Sequence, residues 1–185
     1  MRLVFPNATR INRGSTVMRE MSEACRTNDY TDLIVLHEHR GQPGKLILCR
    51  HVFRIRRLTL HVFVWTLTDA MVVSHFPHGP TTMFTLHNVV LRHDITSHTT
   101  STVSEQYPHL IFEGFSSNLG ARIQNILKYL FPVPREESKR VMTFQNDNDF
   151  ISFRHHVFVK NSHKEVELAE VGPRFQMRRE SIPKF

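Results

Sequence analysis

The sequence predicts an α/β fold in which short strands form sheets that are flanked by helices. Residues 150–160 alternate apolar and polar side chains with a period of two, which is typical of a strand with one buried face. Residues 119–130 repeat apolar side chains at helical spacing. Strand-like and helix-like stretches alternate along the chain, and its 185 residues with 40% apolar content can form one domain with a sizeable core.

The first quarter of the chain predicts a short strand, a helix and a buried hairpin. Ala8 to Asn12 is the short strand. Ser15 to Asn28 is the helix, with Ser15 or Thr16 as its N-cap. Thr31 to Leu36 is a nearly continuous apolar run, which is typical of a buried strand, and Lys45 to Cys49 returns as a strand. The apolar face of the helix is predicted from Val17, Met18, Met21 and Cys25.

The middle of the chain predicts two strands, a helix and a third strand. Thr81 to Val90 is rich in strand-forming residues, and His109 to Phe115 is another short strand. The helix from Leu119 to Leu130 is capped by Ser117 or Asn118 and ends at the Pro132 to Pro134 segment. Val141 to Phe144 is a strand. The apolar stripe of the helix consists of Leu119, Ile123, Ile126, Leu127 and Leu130.

The stretch from Phe150 to Phe175 predicts a β-hairpin with one face on a core. Ile151, Phe153, His155, Val157 and Val159 share the face that we assign to the core. The second strand runs from Glu165 to Leu168, and Gly172-Pro173 ends the hairpin because proline has no N–H for a ladder. The opposite face carries Ser152, Arg154, His156 and Lys160, together with Phe150 and Phe158.

Six arginines are candidate phosphate contacts, because they lie at predicted loop edges or off the apolar stripes. The alternative is that they are ordinary solvated side chains. The bulk charge does not decide between these alternatives. The net charge is +7, but residues 50–74 contribute +3 and residues 176–185 contribute +2, which leaves +2 for the remaining 150 residues. The candidates are Arg10, Arg13, Arg40, Arg92, Arg122 and Arg154.

Catalytic and metal sites have little support in the sequence. His37 and His39 would share one face of a strand, but no further ligands follow at a recognisable spacing. His93 beside Asp94 has the composition of a dyad, but no nucleophile elbow accompanies it. We therefore predict no catalytic residue, no metal and no cofactor. The two cysteines fall in apolar patterns and are interpreted as buried thiols.

Long, ordered stretches of the sequence resemble the Brix domain. They are RLVFPNATRINRG at 2–14, TDLIVLHEHRGQP at 31–43, HFPHGPTTMFTLHNVVLRHDI at 75–95, SEQYPHLIFEGFSS at 104–117, LGARIQNILKYLFPVP at 119–134 and FISFRHHVFVKNSHKEVELAEVGPRF at 150–175. The resemblance implies a duplicated α/β fold whose halves are similar to the anticodon-binding domains of some aminoacyl-tRNA synthetases. It also implies that the chain is a partial Brix domain, truncated at both ends, with an atypical tail at 176–185.

Residues 50–74 have no counterpart in the resemblance, in which Cys49 would join directly to His75. The segment contains the only tryptophan and many apolar side chains. It is open to three interpretations: an extra β-hairpin, a basic amphipathic segment, or a retained intron without a stop codon. We favour the last as a hypothesis, since an exposed loop has no reason to be so apolar.

The resemblance implies a non-catalytic RNA-binding assembly factor of the small-subunit processome, in the nucleolus. The implied partners are U3 small nucleolar RNA, pre-ribosomal RNA, and proteins of the Imp-three and Mpp-ten types, with no membrane and no small-molecule substrate. An alternative is a protein-docking scaffold in ribosome assembly whose RNA contacts are incidental. A salt-dependent affinity for structured RNA separates these two functions.

Overall fold

The computed structural model describes residues 4–12, 15–37, 46–51, 70–95, 105–160 and 166–180. The chain divides into two compact units. The N-terminal unit comprises residues 7–86 with 179–185, and the C-terminal unit comprises 87–178 with 3–6. The helices are α1 (Met18–Thr27) and α2 (Asn118–Lys128), and the strands are β1 (Ala8–Asn12), β2 (Tyr30–His37), β3 (Leu46–His51), β4 (Ala70–His75), β5 (Thr81–Val90), β6 (His109–Glu113), β7 (Arg140–Asp147), β8 (Phe150–Lys160), β9 (Val166–Glu170) and β10 (Arg174–Glu180).

The N-terminal unit is an antiparallel sheet with the strand order β1-β3-β2-β4-β5, to which β5 contributes residues 81–86. The last part of β5, from His87, belongs to the C-terminal unit. The apolar side of α1 packs on one face of this sheet. The helix begins after Val17, whose amide donates to a Glu20 carboxylate oxygen at 3.4 Å. The predicted cap at Ser15 or Thr16 is therefore wrong. The core between helix and sheet consists of Met18, Met21, Cys25, Leu33, Val35, Ala70, Val72 and Met83.

Strands β3 and β4 flank β2 in the same register. Leu46 of β3 and Met71 of β4 both lie opposite Leu36, and Cys49 and Ser74 both lie opposite Leu33. Both strands are antiparallel to β2, so they run parallel to each other. The end of β3 and the start of β4 therefore lie at opposite ends of β2.

The predicted intrusion at 50–74 contains residues of both strands. Its first two residues belong to β3, and Ala70–Ser74 form most of β4, where all five are buried. The segment as predicted thus includes part of the core. Residues 52–69 lie outside the described residues, and the origin of the segment stays a prediction.

The C-terminal unit has the strand order β10-β8-β7-β6, with β9 also paired to β8. The β6·β7 pair is parallel, and the β7·β8, β8·β9 and β8·β10 pairs are antiparallel. The core is aromatic: the Phe153 ring centroid lies 4.6 Å from that of Phe175 and 5.2 Å from that of Phe144. Phe131, just after α2, lies 6.2 Å from Phe144. Aromatic pairs at these distances add to the stability gained by burial.

The cap of α2 is confirmed, because the Gly120 amide donates to the Ser117 hydroxyl at 2.9 Å. Leu119, which was assigned to the apolar stripe, is 38% exposed and does not belong to it. It lies in the first turn of the helix. The other four stripe residues, Ile123, Ile126, Leu127 and Leu130, are buried.

The prediction of short strands holds only in part. Strands β5 and β8 have 10 and 11 residues, which is about twice the usual length. β8 is long because its first half pairs with β10 and its second half with β9, while β7 runs along its other side. The tail predicted as atypical, 176–185, contributes its residues 176–180 to β10.

Candidate nucleic-acid interface

One face of the sheet in the C-terminal unit is polar and partly exposed. Successive side chains of a strand point to opposite faces, so Phe153 and His155 of β8 enter the core while Ser152 and Arg154 point away from it. We call this outer surface the open face. Its described side chains include Gln145, Asp147, Phe150, Ser152, Arg154, His156, Glu170, Arg174, Gln176 and Arg178.

A row of amide and hydroxyl groups crosses the open face. Gln145 of β7 and Gln176 of β10 both lie opposite Ser152 of β8. The Asn88 amide of β5 donates to the Gln176 side-chain oxygen at 2.7 Å, which extends the row to a fourth strand. Neighbouring strands are about 4.8 Å apart. The row therefore presents hydrogen-bonding groups at regular intervals across the sheet.

Phe150 lies beside this row and is 38% exposed. It is opposite Asp147 on β7 and Arg178 on β10. The Arg178 guanidinium carbon lies 5.3 Å from the centre of the Phe150 ring, and the His87 ring centroid lies 6.0 Å from it. The ring is therefore flanked by a cation and an imidazole, with part of its surface open to solvent.

Two further arginines share one carboxylate on the open face. An Arg154 guanidinium nitrogen lies 3.5 Å from one Glu170 oxygen, and an Arg174 nitrogen lies 3.2 Å from the other. Both arginine side chains are nearly half exposed. Such exposed pairs add little stability. Their effect is to hold two guanidinium groups on the face with one positive charge uncompensated between them.

Arginine, aromatic and amide groups on one sheet surface can each contact a different part of a nucleic acid. Arginine donates to phosphate oxygens, amides and hydroxyls pair with base edges, and an exposed ring can stack on a base. Among the described residues, no group of three His, Cys, Asp or Glu side chains is placed to hold a metal ion. None of the helices in the described ranges has the length and hydropathy needed to cross a membrane.

Four of the six arginines predicted from the sequence are among the described residues, and each of these four is on a different element. Arg154 is on the open face, while Arg92 is exposed in the short 3₁₀ helix Arg92–Asp94 and Arg122 is exposed on α2. Arg10 is exposed on β1 of the N-terminal unit. Arg13 and Arg40 lie outside the described residues.

The sequence reasoning missed Arg174, Arg178 and the partial exposure of Phe150. The signal was present in β10, where these arginines alternate with Phe175 and Met177, both of which are buried. That alternation is the same period-two pattern that identified β8. The polar residues Arg179 and Glu180, which follow directly, interrupt the alternation and weaken the signal.

Beneath the open face, His155 and Arg140 form a buried polar pair. His155 is 1% exposed, and its Nδ1 lies 2.7 Å from the Gly172 carbonyl oxygen. Nε2 accepts a hydrogen bond from the Arg140 Nε at 3.3 Å, so we assign the proton of the neutral ring to Nδ1. Arg140 also donates to the Gln106 carbonyl at 2.8 Å. The network joins β7 and β8 to the backbone at Gly172, next to the end of β9.

This network predicts a loss of stability on acidification. Burial, followed by the charge of Arg140, lowers the pKa of His155 from 6.5 to about 4, against the hydrogen bond to Gly172. Between these two values the unfolded chain binds more protons than the folded chain, so the free energy of unfolding falls as the pH decreases. We expect urea denaturation to show a loss of about 1–3 kcal/mol between pH 7 and pH 4.5.

His155→Gln is the control, because an amide can donate and accept but does not titrate in this range. The variant should lose most of the pH dependence seen in the wild type. Burial also lowers the pKa of His156, which would account for a smaller remaining slope. An unchanged pH dependence in His155→Gln would refute the assignment to His155.

The chain is similar in sequence to proteins that are named as ribonucleoprotein components. The family model described as the Brix domain matches residues 1–180. The chain is 49% identical over 178 residues to the U3 small nucleolar ribonucleoprotein protein IMP4 of Homo sapiens, covering 96% of this chain and 52% of the relative. It is 46% identical over 179 residues to imp4 of Schizosaccharomyces pombe, covering 96% and 53%. The chain thus spans about half the length of the curated relatives it matches.

Proposed function

The chain belongs to the Brix domain family, and on this premise we propose that it is a non-catalytic RNA-binding assembly factor of the small-subunit processome. In this role it binds U3 small nucleolar RNA and pre-ribosomal RNA during processing of the small-subunit rRNA. The observation that carries the proposal is the identity of 46–50% to proteins named as U3 small nucleolar ribonucleoprotein components, over 96% of the chain.

The open face supports an RNA contact at a defined place. Arg154, Arg174 and Arg178 are on it, and Glu170 holds two of them. These guanidinium groups can donate to phosphate oxygens without reading the base sequence. The arginines nominated from the sequence outside this face, including Arg10, Arg92 and Arg122, remain candidates for additional phosphate contacts, as do Arg13 and Arg40.

The remaining parts of the proposal rest on the family resemblance given above. The protein partners are of the Imp-three and Mpp-ten types, the location is the nucleus and nucleolus, and no cofactor is required. We also propose that the two halves of the domain are related to the anticodon-binding domains of aminoacyl-tRNA synthetases.

Single arginine substitutions test the phosphate contacts. Each true contact that is lost should reduce the slope of log affinity against log salt concentration by about 0.7–0.9, whatever the RNA sequence. The variants to measure against a U3 RNA fragment are alanine substitutions at Arg10, Arg13, Arg40, Arg92, Arg122 and Arg154. If all six leave both affinity and slope unchanged, the nominated set is wrong.

Arg19→Ala is the matched control for this series. Arg19 is an exposed arginine on α1 that pairs with Glu23 at 3.1 Å and was not nominated. Its loss removes the same charge from the chain. A slope change in this control as large as in the nominated variants would indicate a general charge effect and would contradict a specific contact.

A protein-docking scaffold is the second candidate function, and β9 gives it specific support. Val166 is 57% exposed and Leu168 is 60% exposed, and the two lie on the same face of the strand. Exposed apolar pairs of this kind are typical of protein interfaces. If purified Mpp-ten-type protein binds the chain and loses affinity on Leu168→Ser, while RNA binding is absent at low salt, the scaffold function replaces the RNA-binding one.

A further inference from the structure

We propose that the open face receives an unpaired nucleotide, whose base stacks on Phe150 and whose edge is read by the amide and hydroxyl row. This inference rests on the proposed RNA-binding function and adds the class of RNA that the face selects. It predicts a preference for single-stranded or bulged RNA over a continuous duplex. The residues that carry it are Phe150, Arg178, Ser152, Gln176 and Asn88.

The surroundings of Phe150 are those of a stacking site. The Phe150 ring is 38% exposed. By contrast Phe153, which is on the core side of the same strand, is 1% exposed. The flanking partners of Phe150 are Arg178 and His87, not an apolar cover. Both partners are planar groups that accommodate a base or phosphate beside the ring. The exposed part of the ring is therefore available to a flat aromatic ligand.

The polar row lies one step along the strands from Phe150. Ser152 follows Phe150 on the same face, and Gln176 precedes Arg178 in the same way. Residues two apart in a strand are about 6.8 Å apart. The edge of a base stacked on Phe150 would point along the strands towards this row. There it would meet the Gln176 side-chain amide, which offers hydrogen-bonding groups and is positioned by its hydrogen bond from Asn88.

A duplex cannot use these groups in the same way. In A-form RNA the bases are stacked within the helix, and the deep groove is too narrow for side chains to read. A broad sheet surface would contact such a helix mainly through phosphates. Stacking on Phe150 requires a base that has left the helix, so the aromatic contact discriminates between the two forms.

The charge of the face favours RNA over a protein ligand. Among the described residues of the C-terminal unit that we assigned to the open face, three are arginines (Arg154, Arg174 and Arg178) and two carry carboxylates, and one of these, Glu170, is already shared by two arginines. The second, Asp147, accepts a hydrogen bond from the Asn148 amide at 3.0 Å. The exposed apolar pair of β9, Val166 and Leu168, lies on the same side of the sheet but opposite Lys160 and Phe158 at the other end of β8 from Phe150.

The experiment compares two RNAs with the complete 185-residue chain. One is a single-stranded oligonucleotide containing 2-aminopurine, and the other is a fully paired, blunt-ended duplex whose strands have the same length. Binding of the first should quench the 2-aminopurine fluorescence through stacking. Phe150→Leu should weaken single-strand binding by about 5- to 150-fold and abolish the quench, while duplex affinity changes less than about twofold.

Two further variants separate stacking from folding. Phe150→Trp should restore single-strand affinity and quenching, because the indole also stacks. Leu168→Ala removes another exposed apolar side chain and should change neither RNA affinity. The thermal midpoints of all variants are measured alongside, so that a loss of folding is recognised.

The outcomes also separate this inference from the proposed function. If the wild type binds neither RNA, the RNA-binding function itself fails and the inference fails with it. If the wild type binds RNA but Phe150→Leu changes neither affinity, or changes both equally, the function stands and the inference is overturned. If Phe150→Leu weakens only the binding of a purified Mpp-ten-type protein, the face is a protein site and the inference is likewise overturned.

Discussion

A chain that lacks residues 50–74 should fold, should be more soluble than the 185-residue chain, and should retain RNA binding. The reason is the shared register of β3 and β4 on either side of β2. When Cys49 is joined to His75, Leu46 to Cys49 can pair with β2 in the register now held by Met71 to Ser74. His75 then keeps its place opposite Asp32, to which its Nδ1 is hydrogen-bonded.

The replacement keeps the apolar pattern of the central strand. Met71, Val72 and Val73 are buried in the 185-residue chain. In the shortened chain their positions would be taken by Leu46, Ile47 and Leu48, which are apolar residues of similar size. The cost is the β1·β3 ladder, which pairs five residues of β1. Removing an apolar segment that contains the only tryptophan should reduce self-association in solution.

Deletion of residues 52–69 is the control, and it should be more harmful although it removes fewer residues. This deletion joins His51 directly to Ala70. In the structure these two residues lie at opposite ends of β2, so no residues are left to connect the end of β3 to the start of β4. Parallel strands need a connection of about a dozen residues. The two variants are compared by circular dichroism, thermal melting and RNA titration. A folded 52–69 deletion beside an unfolded 50–74 deletion would contradict this account.

The origin of the segment is decided by sequencing the mature transcript. A message that lacks the codons for residues 50–74 supports a retained intron. If the message keeps these codons and the deletion abolishes RNA binding, the segment is a functional insertion.

Phe153→Ala should lower the free energy of unfolding by about 3–5 kcal/mol. The side chain is 1% exposed, and its ring lies between those of Phe144 and Phe175 at centroid distances of 5.2 and 4.6 Å. Truncation removes the apolar contacts and both ring pairs and leaves a cavity between β7, β8 and β10. The loss is a large share of the 5–15 kcal/mol that is typical of a folded domain.

Phe150→Leu provides the comparison on the same strand. Because Phe150 is on the open face and partly exposed, its substitution should cost about 1 kcal/mol or less. Urea denaturation of the two variants against the wild type measures the difference. Equal losses in the two variants would show that the assignment of the two faces of β8 is wrong.

Much of the fold could be predicted from the sequence because local periodicity reports which side of an element is buried. The alternation from Ile151 to His155 identified the core face of β8, and the stripe at Ile123, Ile126 and Leu127 identified α2. Both signals depend only on the spacing of apolar residues. The strand Thr81–Val90 was predicted with its observed bounds.

The candidate site was harder to predict because it depends on register between distant strands. Gln145, Ser152 and Gln176 form one row only because β7, β8 and β10 align them. Arg174 and Arg154 meet at Glu170 for the same reason. No local pattern in a single strand contains this information. Likewise, the equivalence of β3 and β4 is visible only when both are paired with β2.

The central claim, that the chain binds RNA through the arginines of its open face, is tested by the salt dependence of its affinity for a U3 small nucleolar RNA fragment. The measurement compares the wild type with the triple variant Arg154→Ala, Arg174→Ala and Arg178→Ala. The account predicts weaker binding and a log–log salt slope that is flatter by about 2 in the triple variant, provided that its melting temperature is unchanged. Equal affinity and equal slope in the two proteins would contradict it.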